Sequence, residues 1–289
     1  MSAAVSSSPQ RADLESTFTD RDFAFFARLV YERSGIVLAD HKKSMMFSRL
    51  VRRVRELKLG SFKAYGELLR GPDGDSEIGD FINAMTTNLT KFFREDHHFE
   101  FLESTALPRA AQRAMQDGTR RVRLWSAGCS SGEEPYSIAI CLKRAANHLR
   151  NLDARLLATD LDTNMVSRAA AGVYPKAAVA ALPPHWRNGF FHSTDKSREQ
   201  VSVENELRAR ITFRPLNLLH DWPMSGPFDA IFCRNVMIYF DGPTKVRLVN
   251  RLADLLQPGG WLFIGHSETL LEHQDRLRLV GRTIYERIA

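Results

Sequence analysis

The sequence predicts an α/β fold, a doubly wound and mostly parallel sheet preceded by a small all-α domain, and two observations support this prediction. From Arg120 onward, short apolar runs alternate with amphipathic stretches, the pattern of successive βα units. From Asp20 to about Asn88 the apolar residues instead recur at helical spacing. A chain of 289 residues is long enough for one large α/β domain and a small second one.

The helical part contains one strongly basic helix. A first helix is predicted from Asp20, a candidate N-cap, to Gly35, which ends it. A second helix is predicted from Asp40 to Gly60, with its apolar residues within an arc of roughly 100°. Basic residues occupy the opposite side of this second helix: Lys42, Arg49, Arg52, Arg53 and Arg55. Shorter helices, "FKAYGELLRG" and "DSEIGDFINAMTTN", follow.

These patterns define the expected domains. Residues 1–17 form a polar, disordered tail, residues 18–90 the helical domain with a linker, and residues 91–289 the α/β domain. A polar insertion at about 173–213 interrupts the alternation and is expected to form a small subdomain. The last stretch is predicted to be a hairpin around Gly281. The predicted strands are "VRLWSAG", "ARLLATDLD", "ITFRPLNLL", "FDAIFCRNV" and "GWLFIGHSE".

Composition narrows the class of function. The net charge of +6 favours an acidic partner, either nucleic acid or an acidic protein surface. No run of about 18 uncharged apolar residues predicts a transmembrane helix, and the N-terminus lacks the apolar core of a signal peptide. The three cysteines show no C-x-x-C spacing, so neither a zinc site nor a disulfide framework is expected. A cytoplasmic protein with reduced thiols is the simplest interpretation.

A glycine turn, "SAGCSSGEE", follows the first predicted strand of the α/β domain. A phosphate-binding loop needs G-x-x-x-x-G-K-[ST], but Gly128 and Gly132 have three residues between them and Glu133 replaces the lysine. The dinucleotide fingerprint G-x-G-x-x-G is also absent. Glu133 and Glu134 would repel a pyrophosphate at the helix N-terminus. The turn therefore argues against a ligand that binds there through phosphates.

The same carboxylates favour a cationic ligand without phosphates. S-adenosylmethionine carries a sulfonium and an ammonium, and a glutamate at the helix start can hold the ammonium. Asp160 ends the next strand, where an acid can accept hydrogen bonds from both ribose hydroxyls, as in dinucleotide folds. The two glutamates alone would equally fit a helix first turn, where acids complement the helix dipole. With the glycine turn and Asp160, they predict S-adenosylmethionine binding.

The segment before the first strand, "MTTNLTKFFREDHHF", is polar but dense in phenylalanine. Asn88, Thr90 and Arg94 are its candidate functional residues, and a capping or anchoring role is the alternative. His97 and His98 point apart on a helix and have no acidic partner at ligand spacing, so we expect no metal.

A further polar group follows the strand "FDAIFC". Arg234 and Asn235 stand at its end, and Tyr239 comes a turn later. Ligands of open α/β sheets bind at the carboxyl ends of strands, which favours a functional role for these residues. The N-P-P-Y signature of adenine methyltransferases is absent there, which argues against a nucleic-acid amino-methyltransferase.

Six stretches resemble, in order and spacing, the chemotaxis receptor methyltransferase family (CheR), from about residue 18 to the end. They are "NLTKFFRE", "WSAGCSSGEEPYSIAI", "ATDLD", "FRPLNLL", "FDAIFCRNVMIYF" and "LLQPGGWLFIGHSE". The resemblance implies a helical domain followed by a Rossmann-like class I methyltransferase domain with an inserted antiparallel β subdomain. It implies methyl transfer from S-adenosylmethionine to receptor glutamates, giving γ-glutamyl methyl esters and S-adenosylhomocysteine.

The resemblance also assigns residues. It implies that Arg94 and Tyr239 form the catalytic pair. The cofactor contacts that it implies are Asn88, Thr90, Arg94, Glu134, Asp160, Asn217, Leu218, Arg234 and Asn235.

The implied reaction needs no general base, because a glutamate with a pKa of about 4.3 is already ionised at neutral pH. Carboxylate and sulfonium lose their charges as they react, so the enzyme has to align them and exclude water. Arg94 can orient the acceptor carboxylate or hold the methionyl carboxylate, and the sequence leaves both roles open. Tyr239 can position the acceptor or simply fill the sheet edge.

Partners follow from the charge and from one departure from the family. The basic face of the second helix can dock on acidic receptor helices, or it is merely solvated. Some family members bind a receptor C-terminal pentapeptide through a glycine-rich loop, but "HSTDKSREQ" has no glycine, so we expect no such tether. A monomer without a nucleic-acid or membrane partner is expected. A nucleic-acid or other protein methyltransferase and a non-catalytic sensor remain alternatives.

Overall fold

The chain forms two compact units, Met1–Thr87 and Asn88–Ala289. The sequence prediction placed this boundary three residues later, after residue 90. The structure, a computed structural model, describes residues 18–194, 199–270 and 275–288. The predicted tail at 1–17 therefore lies outside the described residues, as do positions 195–198 of the glycine-free loop.

The first unit is helical throughout its described part. Its helices are α1 Asp20–Ser34, α2 Lys43–Glu56, α3 Phe62–Arg70 and α4 Gly74–Met85, with a 3₁₀ turn at Asp40–Lys42. Aromatic side chains fill its core. Phe26 is fully buried and contacts Phe62, Tyr65 and Phe81, with ring centroids 5.8–6.5 Å apart.

Three predicted helix boundaries were wrong. Thr19, not Asp20, caps α1, because the Thr19 hydroxyl accepts from the amide of Asp22 and the Asp22 carboxylate accepts in return, a capping box. The second helix begins only after the 3₁₀ turn that Asp40 opens, and it ends at Glu56, before Gly60. Gly35 ends α1 as predicted, with a left-handed φ of 71°.

The second unit alternates helices and strands. Its helices are α5 His97–Phe101, α6 Leu107–Gln116, α7 Glu133–Arg144, α8 Thr163–Ala171, α9 Lys176–Ala180, α10 Pro184–Arg187, α11 Asn205–Arg208 and α12 Gly242–Leu255. Its strands are β1 Arg121–Ala127, β2 Asp153–Asp160, β3 Val173–Pro175, β4 Phe191–Ser193, β5 Gln200–Val203, β6 Ile211–Pro215, β7 Phe228–Cys233, β8 Leu256–Ile264, β9 Leu277–Gly281 and β10 Ile284–Arg287. A π-helical turn joins α5 to α6.

Seven strands form one sheet in the order β6-β2-β1-β7-β8-β10-β9. The five strands from β6 to β8 are parallel, and β10 and β9 pair antiparallel as the predicted hairpin. From β1 the chain proceeds outward to β2 and β6 and then returns to β7 on the other side of β1. The carboxyl ends of β1 and β7 thus flank the point where strand order reverses, which is where ligands of open α/β sheets bind.

The insertion forms a separate antiparallel sheet in the order β3-β5-β4. Ile211–Pro215 is the edge strand of the large sheet, so the inserted segment ends before Ile211 rather than at about 213. Among the described helices, none is both long and apolar enough to cross a bilayer.

Candidate functional site

The glycine turn after β1 lies against the end of β2 and the loop after β7. The amides of Gly128 and Cys129 both donate to the carbonyl of Thr159, at 2.8 and 2.9 Å. Gly128 and Gly132 have left-handed φ values of 97° and 101°. A Cβ on Gly128 would lie 2.4 Å from Cγ2 of Val236. Glycine is therefore required both by the backbone angle and by the close approach of the neighbouring loop.

Asp160 is held by the turn at the end of β2. Its Oδ2 accepts from the amide of Ser130 at 2.7 Å, and its Oδ1 accepts from the amide of Asp162 at 2.9 Å. Burial raises the pKa of Asp160 to about 6, although these amide hydrogen bonds and others favour the ionised form. The Asp160 carboxylate is therefore poorly solvated and lies next to the glycine turn, which supplies the Ser130 amide.

Asn88 is brought to the same strand end from far away in the sequence. Its side-chain amide donates to Oδ2 of Asp162 at 2.8 Å, and its carbonyl accepts from the Ser130 hydroxyl at 3.2 Å. Asp162 also caps α8 by accepting from the amide of Asn164. Thr90 is half-buried two residues further along. The segment that precedes the sheet therefore contributes to the candidate site.

A buried arginine separates two glutamates on the other side of the turn. Arg234 follows β7 and donates to Oε2 of Glu134 at 3.0 Å, while Glu95 Oε2 lies 3.3 Å from its guanidinium. The other oxygen of Glu134 accepts from the Ser126 hydroxyl at 2.7 Å. Burial raises the pKa of Glu134, and Arg234 opposes that shift. Since a carboxylate has about four acceptor sites, Glu134 retains capacity for a ligand ammonium.

Arg94 lies between two residues with left-handed backbone angles. Phe93 has φ 49° and Glu95 has φ 60°, conformations that non-glycine residues adopt only when the surroundings impose them. The Arg94 guanidinium donates to the carbonyl of Leu89 at 2.9 Å, and its own carbonyl accepts from Arg234. One third of its side chain is exposed. The guanidinium is thus oriented but still accessible.

The loop after β7 is organised by a buried glutamate that the sequence did not reveal. Glu268 is 5% exposed and accepts from the amides of Gly265, Asn235 and Ile238, at 2.6, 2.9 and 3.2 Å. Asn235 has a left-handed φ of 59°, and the following 3₁₀ turn ends at Tyr239. Glu268 ends a stretch that resembles the CheR family, as does Glu95, but the amides that Glu268 binds come near it only through the approach of β8 to this loop, so the sequence did not assign it a role. Glu95 was missed for the same reason.

Asn217 and Leu218 lie in the segment after β6. The amide of Leu216 donates to the carbonyl of Asp160 at 2.9 Å, which fixes this segment beside the end of β2. The Asn217 side chain accepts from the amide of Leu219 at 3.0 Å, forming a local turn, and Leu218 is buried. In the described residues, no hydrogen bond or ring contact joins Arg94 to Tyr239. Hydrogen bonds link Asn88 and Asp160 through the turn at the end of β2, and they link Arg94 and Glu134 through Arg234 at the end of β7.

Comparison with known proteins shows which family this chain belongs to. The model described as the all-alpha domain of CheR methyltransferase matches residues 21–86, and the one described as its SAM binding domain matches residues 88–286. The chain belongs to the CheR family. Both CheR domains are present, so the helical unit and the α/β unit correspond to the family's two parts.

Individual CheR relatives match over nearly the whole chain. Chemotaxis protein methyltransferase 2 of Pseudomonas aeruginosa is 43% identical over 280 residues, which is 96% of this chain and 97% of the relative. The chemotaxis protein methyltransferases of Klebsiella aerogenes and Escherichia coli are 44% and 43% identical. Each of these two alignments covers 92% of this chain, and they cover 89% and 91% of the relatives. This chain is accordingly a chemotaxis receptor methyltransferase of the CheR family that uses S-adenosylmethionine.

The residues at the strand ends fit S-adenosylmethionine. The set contains two carboxylates, Asp160 and Glu134, whose pKa values are raised by burial. Carboxylates suit hydroxyl and ammonium donors, and poor solvation strengthens their attraction for a cation. Within the described residues, no group of three or more His, Cys, Asp or Glu side chains could hold a metal ion.

The two adjacent histidines have structural contacts. His98 is fully buried, and its Nε2 lies 2.9 Å from the Thr283 hydroxyl and 3.2 Å from the Arg282 carbonyl. Burial, followed by the positive charge of Arg234, lowers the pKa of His98 to about 3. His97 Nε2 also contacts the Arg282 carbonyl, at 3.1 Å. The prediction that the two histidines point apart was wrong, because both rings turn to this one carbonyl and their centroids lie 4.2 Å apart. These contacts hold α5 against the β9–β10 hairpin.

The predicted basic face of α2 requires correction. Arg49 donates to the carbonyls of Met85 and Thr86, both at 2.7 Å, and therefore ties α2 to the end of α4. Arg53 donates to the buried carboxylate of Glu77 at 2.6 Å and to Asp80 at 2.6 Å. Both arginines have long side chains that reach around the helix to partners in their own unit. The exposed members of the predicted face are Lys42, Arg52 and Arg55.

Proposed function

We propose that the candidate site binds S-adenosylmethionine through Asp160 and Glu134 and methylates glutamate side chains of chemotaxis receptors, giving γ-glutamyl methyl esters. The observation that carries this assignment is the carboxylate of Asp160. It ends β2, accepts the amide of Ser130 from the glycine turn, and is poorly solvated. An acid in this position can accept hydrogen bonds from both ribose hydroxyls.

The other contacts complete the proposed cofactor site. Glu134 holds the ammonium while Arg234 keeps the buried acid ionised. Asn88 and Thr90 contribute from the upstream segment, and Asn235 contributes from the loop that Glu268 fixes. Asn217 and Leu218 flank the strand end on the β6 side. When bound, S-adenosylmethionine supplies an electrophilic methyl group on a sulfonium.

The side chains assigned to the acceptor are Arg94 and Tyr239. A glutamate acceptor is ionised at neutral pH, so neither residue has to remove a proton. Arg94 orients a carboxylate with its partly exposed guanidinium, while its bond to the Leu89 carbonyl limits its motion. Tyr239 offers a hydroxyl from the end of the 3₁₀ turn. Exclusion of water around them raises the reactivity of the acceptor carboxylate.

The proposed partner is the cytoplasmic helical region of a chemotaxis receptor, which presents glutamates. The exposed basic residues of the predicted face are Lys42, in the 3₁₀ turn before α2, and Arg52 and Arg55 in α2, and they provide charges of opposite sign in the helical unit. We still expect a monomer that binds receptor in this way, without a pentapeptide tether through residues 192–200. The absence of glycine from that loop supports the expectation that there is no tether.

Transfer of tritium from labelled S-adenosylmethionine to purified receptor tests the assignment. A γ-glutamyl ester releases labelled methanol in mild base, whereas N-methyl groups on protein or nucleic acid do not. We expect base-labile label on the receptor, and Asp160→Ala should reduce it at limiting S-adenosylmethionine. Base-stable label, or an Asp160→Ala variant with unchanged cofactor affinity, would contradict the proposal.

A further inference from the structure

The inserted sheet contributes a buried tyrosine to the glycine turn. Tyr174 lies in β3 and is 1% exposed. Its hydroxyl donates to the carbonyl of Ser131 at 2.7 Å. That carbonyl belongs to the turn whose neighbouring amide, on Ser130, holds Asp160. A side chain of the insertion is therefore hydrogen-bonded to the residue next to the one whose amide holds Asp160.

Gly132 shows how tightly Tyr174 fits on the turn. A Cβ on Gly132 would lie 2.5 Å from the Tyr174 hydroxyl oxygen and 2.9 Å from the Ala169 Cβ. The last glycine of the turn is thus required by the tyrosine above it as well as by its φ of 101°. The hydroxyl, the carbonyl and the glycine form one packed unit, so the turn cannot shift without breaking this hydrogen bond.

The same ring also supports the segment that leads to Arg94. Phe92 packs edge-on against Tyr174, with ring centroids 4.9 Å apart, and against Phe191 of β4 at 5.3 Å. Phe93 stacks on Trp186 of the insertion at 4.0 Å. Two successive phenylalanines before Arg94 are therefore anchored on aromatic residues of the inserted segment.

We propose that Tyr174 is a positioning residue: through its hydroxyl, the inserted sheet fixes the glycine turn in the conformation in which the Ser130 amide holds Asp160 in place for the cofactor. This proposal rests on the assignment of Asp160 to S-adenosylmethionine binding. Removal of the hydroxyl leaves the Ser131 carbonyl buried without this donor and lets the turn relax, while the ring can keep its contact with Phe92. The effect should therefore appear in cofactor affinity more than in folding.

Tyr136 supplies a matched control in the same core. It is also fully buried and also donates its hydroxyl to a backbone carbonyl at 2.8 Å, but that carbonyl belongs to Ala169 in α8, not to the turn. Tyr174→Phe and Tyr136→Phe each delete one buried donor. The net value of one such hydrogen bond should lower the melting temperature of both variants by about 2–4 °C.

Calorimetric titration of the full chain with S-adenosylmethionine distinguishes them. Tyr174→Phe should raise the dissociation constant about 3- to 10-fold, the range that one hydrogen bond supplies, while Tyr136→Phe should stay within about twofold. The KM for receptor should not change in either variant. Equal affinity losses in both variants, or none in Tyr174→Phe, would overturn the positioning role.

Asp160→Ala, measured in parallel, separates this proposal from the one it rests on. If Asp160→Ala binds weakly and Tyr174→Phe binds normally, the cofactor site stands and the role of Tyr174 fails. If Asp160→Ala itself binds normally in a folded protein, the assignment of the cofactor site fails.

Discussion

At the scale of single residues, the chemistry of this site depends on how poorly solvated its carboxylates are. Burial raises the pKa values of both Asp160 and Glu134. Hydrogen bonds from backbone amides oppose the shift of Asp160, and Arg234 opposes the shift of Glu134. These groups are poised to gain from a ligand that brings a positive charge or hydroxyl donors. The site can therefore be tested through its dependence on pH as well as by mutation.

S-adenosylmethionine should bind more weakly in mild acid. The pKa of Asp160 is about 6 in the free protein, so lowering the pH from 7 to 5 protonates most of it. Binding that requires the carboxylate then weakens by roughly tenfold between these two pH values. Titration calorimetry from pH 5 to pH 8 measures this. Asp160→Asn should bind weakly throughout and lose most of the pH dependence, and a flat wild-type profile would argue against a role for Asp160.

Tyr239→Phe should separate turnover from cofactor binding. Its hydroxyl is assigned to the acceptor, so the variant should lose about 5- to 50-fold in kcat while its dissociation constant for S-adenosylmethionine changes by less than about twofold. Steady-state kinetics with receptor, together with calorimetry, give both quantities. Equal losses in turnover and cofactor affinity would instead assign Tyr239 to the cofactor pocket.

At the scale of elements, some arginines of α2 bind partners within the helical unit and others are exposed to solvent. Arg53 joins α2 to α4 through the buried carboxylate of Glu77, which also accepts from the fully buried Tyr65 at 2.8 Å. Glu77 and Asp80 hold the pKa of Arg53 above its ordinary value. Arg52, one residue earlier, pairs only with Glu56 among the described contacts and is 84% exposed. Neighbouring arginines on one helix thus have different tasks.

Arg53→Met should destabilise the helical unit. It leaves the Glu77 carboxylate buried beside Tyr65 without its cation, which costs about 2–4 kcal/mol of unfolding free energy, a little less than a fully buried pair because Arg53 is partly exposed. Arg52→Met is the control and should lose less than about 0.5 kcal/mol. Urea unfolding followed by circular dichroism measures both. Equal stability of the two variants would show that the Glu77 pair is not structural.

Receptor docking through α2 and the 3₁₀ turn before it should depend on the exposed cations of these two elements. Reversal of Lys42, Arg52 and Arg55 to glutamate should raise the receptor KM at least fivefold at low salt and leave the KM for S-adenosylmethionine within twofold. The wild-type receptor KM should rise with ionic strength, because exposed charges are screened, and the variant should lose most of that dependence.

A second triple variant controls for total charge. Arg21, Arg28 and Lys63 are exposed on α1 and α3, and their reversal makes the same change in net charge away from α2. This control should have the smaller effect on receptor KM. If both triple variants behave alike, general electrostatic attraction, rather than docking on α2, explains the result.

At the scale of the whole molecule, the contacts of the proposed cofactor site lie within one unit. Every hydrogen bond described for the turn, Asp160, Glu134 and Arg234 joins residues between 88 and 289. The helical unit instead contains the basic residues proposed to bind receptor. Cofactor binding and receptor recognition are thus assigned to different parts of the chain.

A fragment of residues 88–289 should therefore bind S-adenosylmethionine with an affinity within about threefold of the full chain. The same fragment should methylate receptor poorly, because it lacks Lys42, Arg52 and Arg55. Calorimetry and the tritium assay measure the two properties separately. A folded fragment that has lost more than tenfold in cofactor affinity would show that the first unit contributes to the site.

The sequence by itself determined the alternating strands, the glycine turn and Asp160. These features are local: strand periodicity, glycine spacing and the end of an apolar run can be read from adjacent residues, and parallel strands bring their carboxyl ends to one edge. The sequence also identified the family, because its motifs are long and ordered.

Only the tertiary structure decided which polar side chains form hydrogen bonds and ion pairs within the folded protein. A helical wheel predicts which side of α2 is polar, but Arg49 and Arg53 reach past that side to partners 24 to 38 residues away in the chain. Glu268, Glu95 and Tyr174 gained their roles in the same way, from donors and acceptors that folding brings near. A buried polar group must find a partner, and the partner's position in the sequence is set by packing rather than by local pattern.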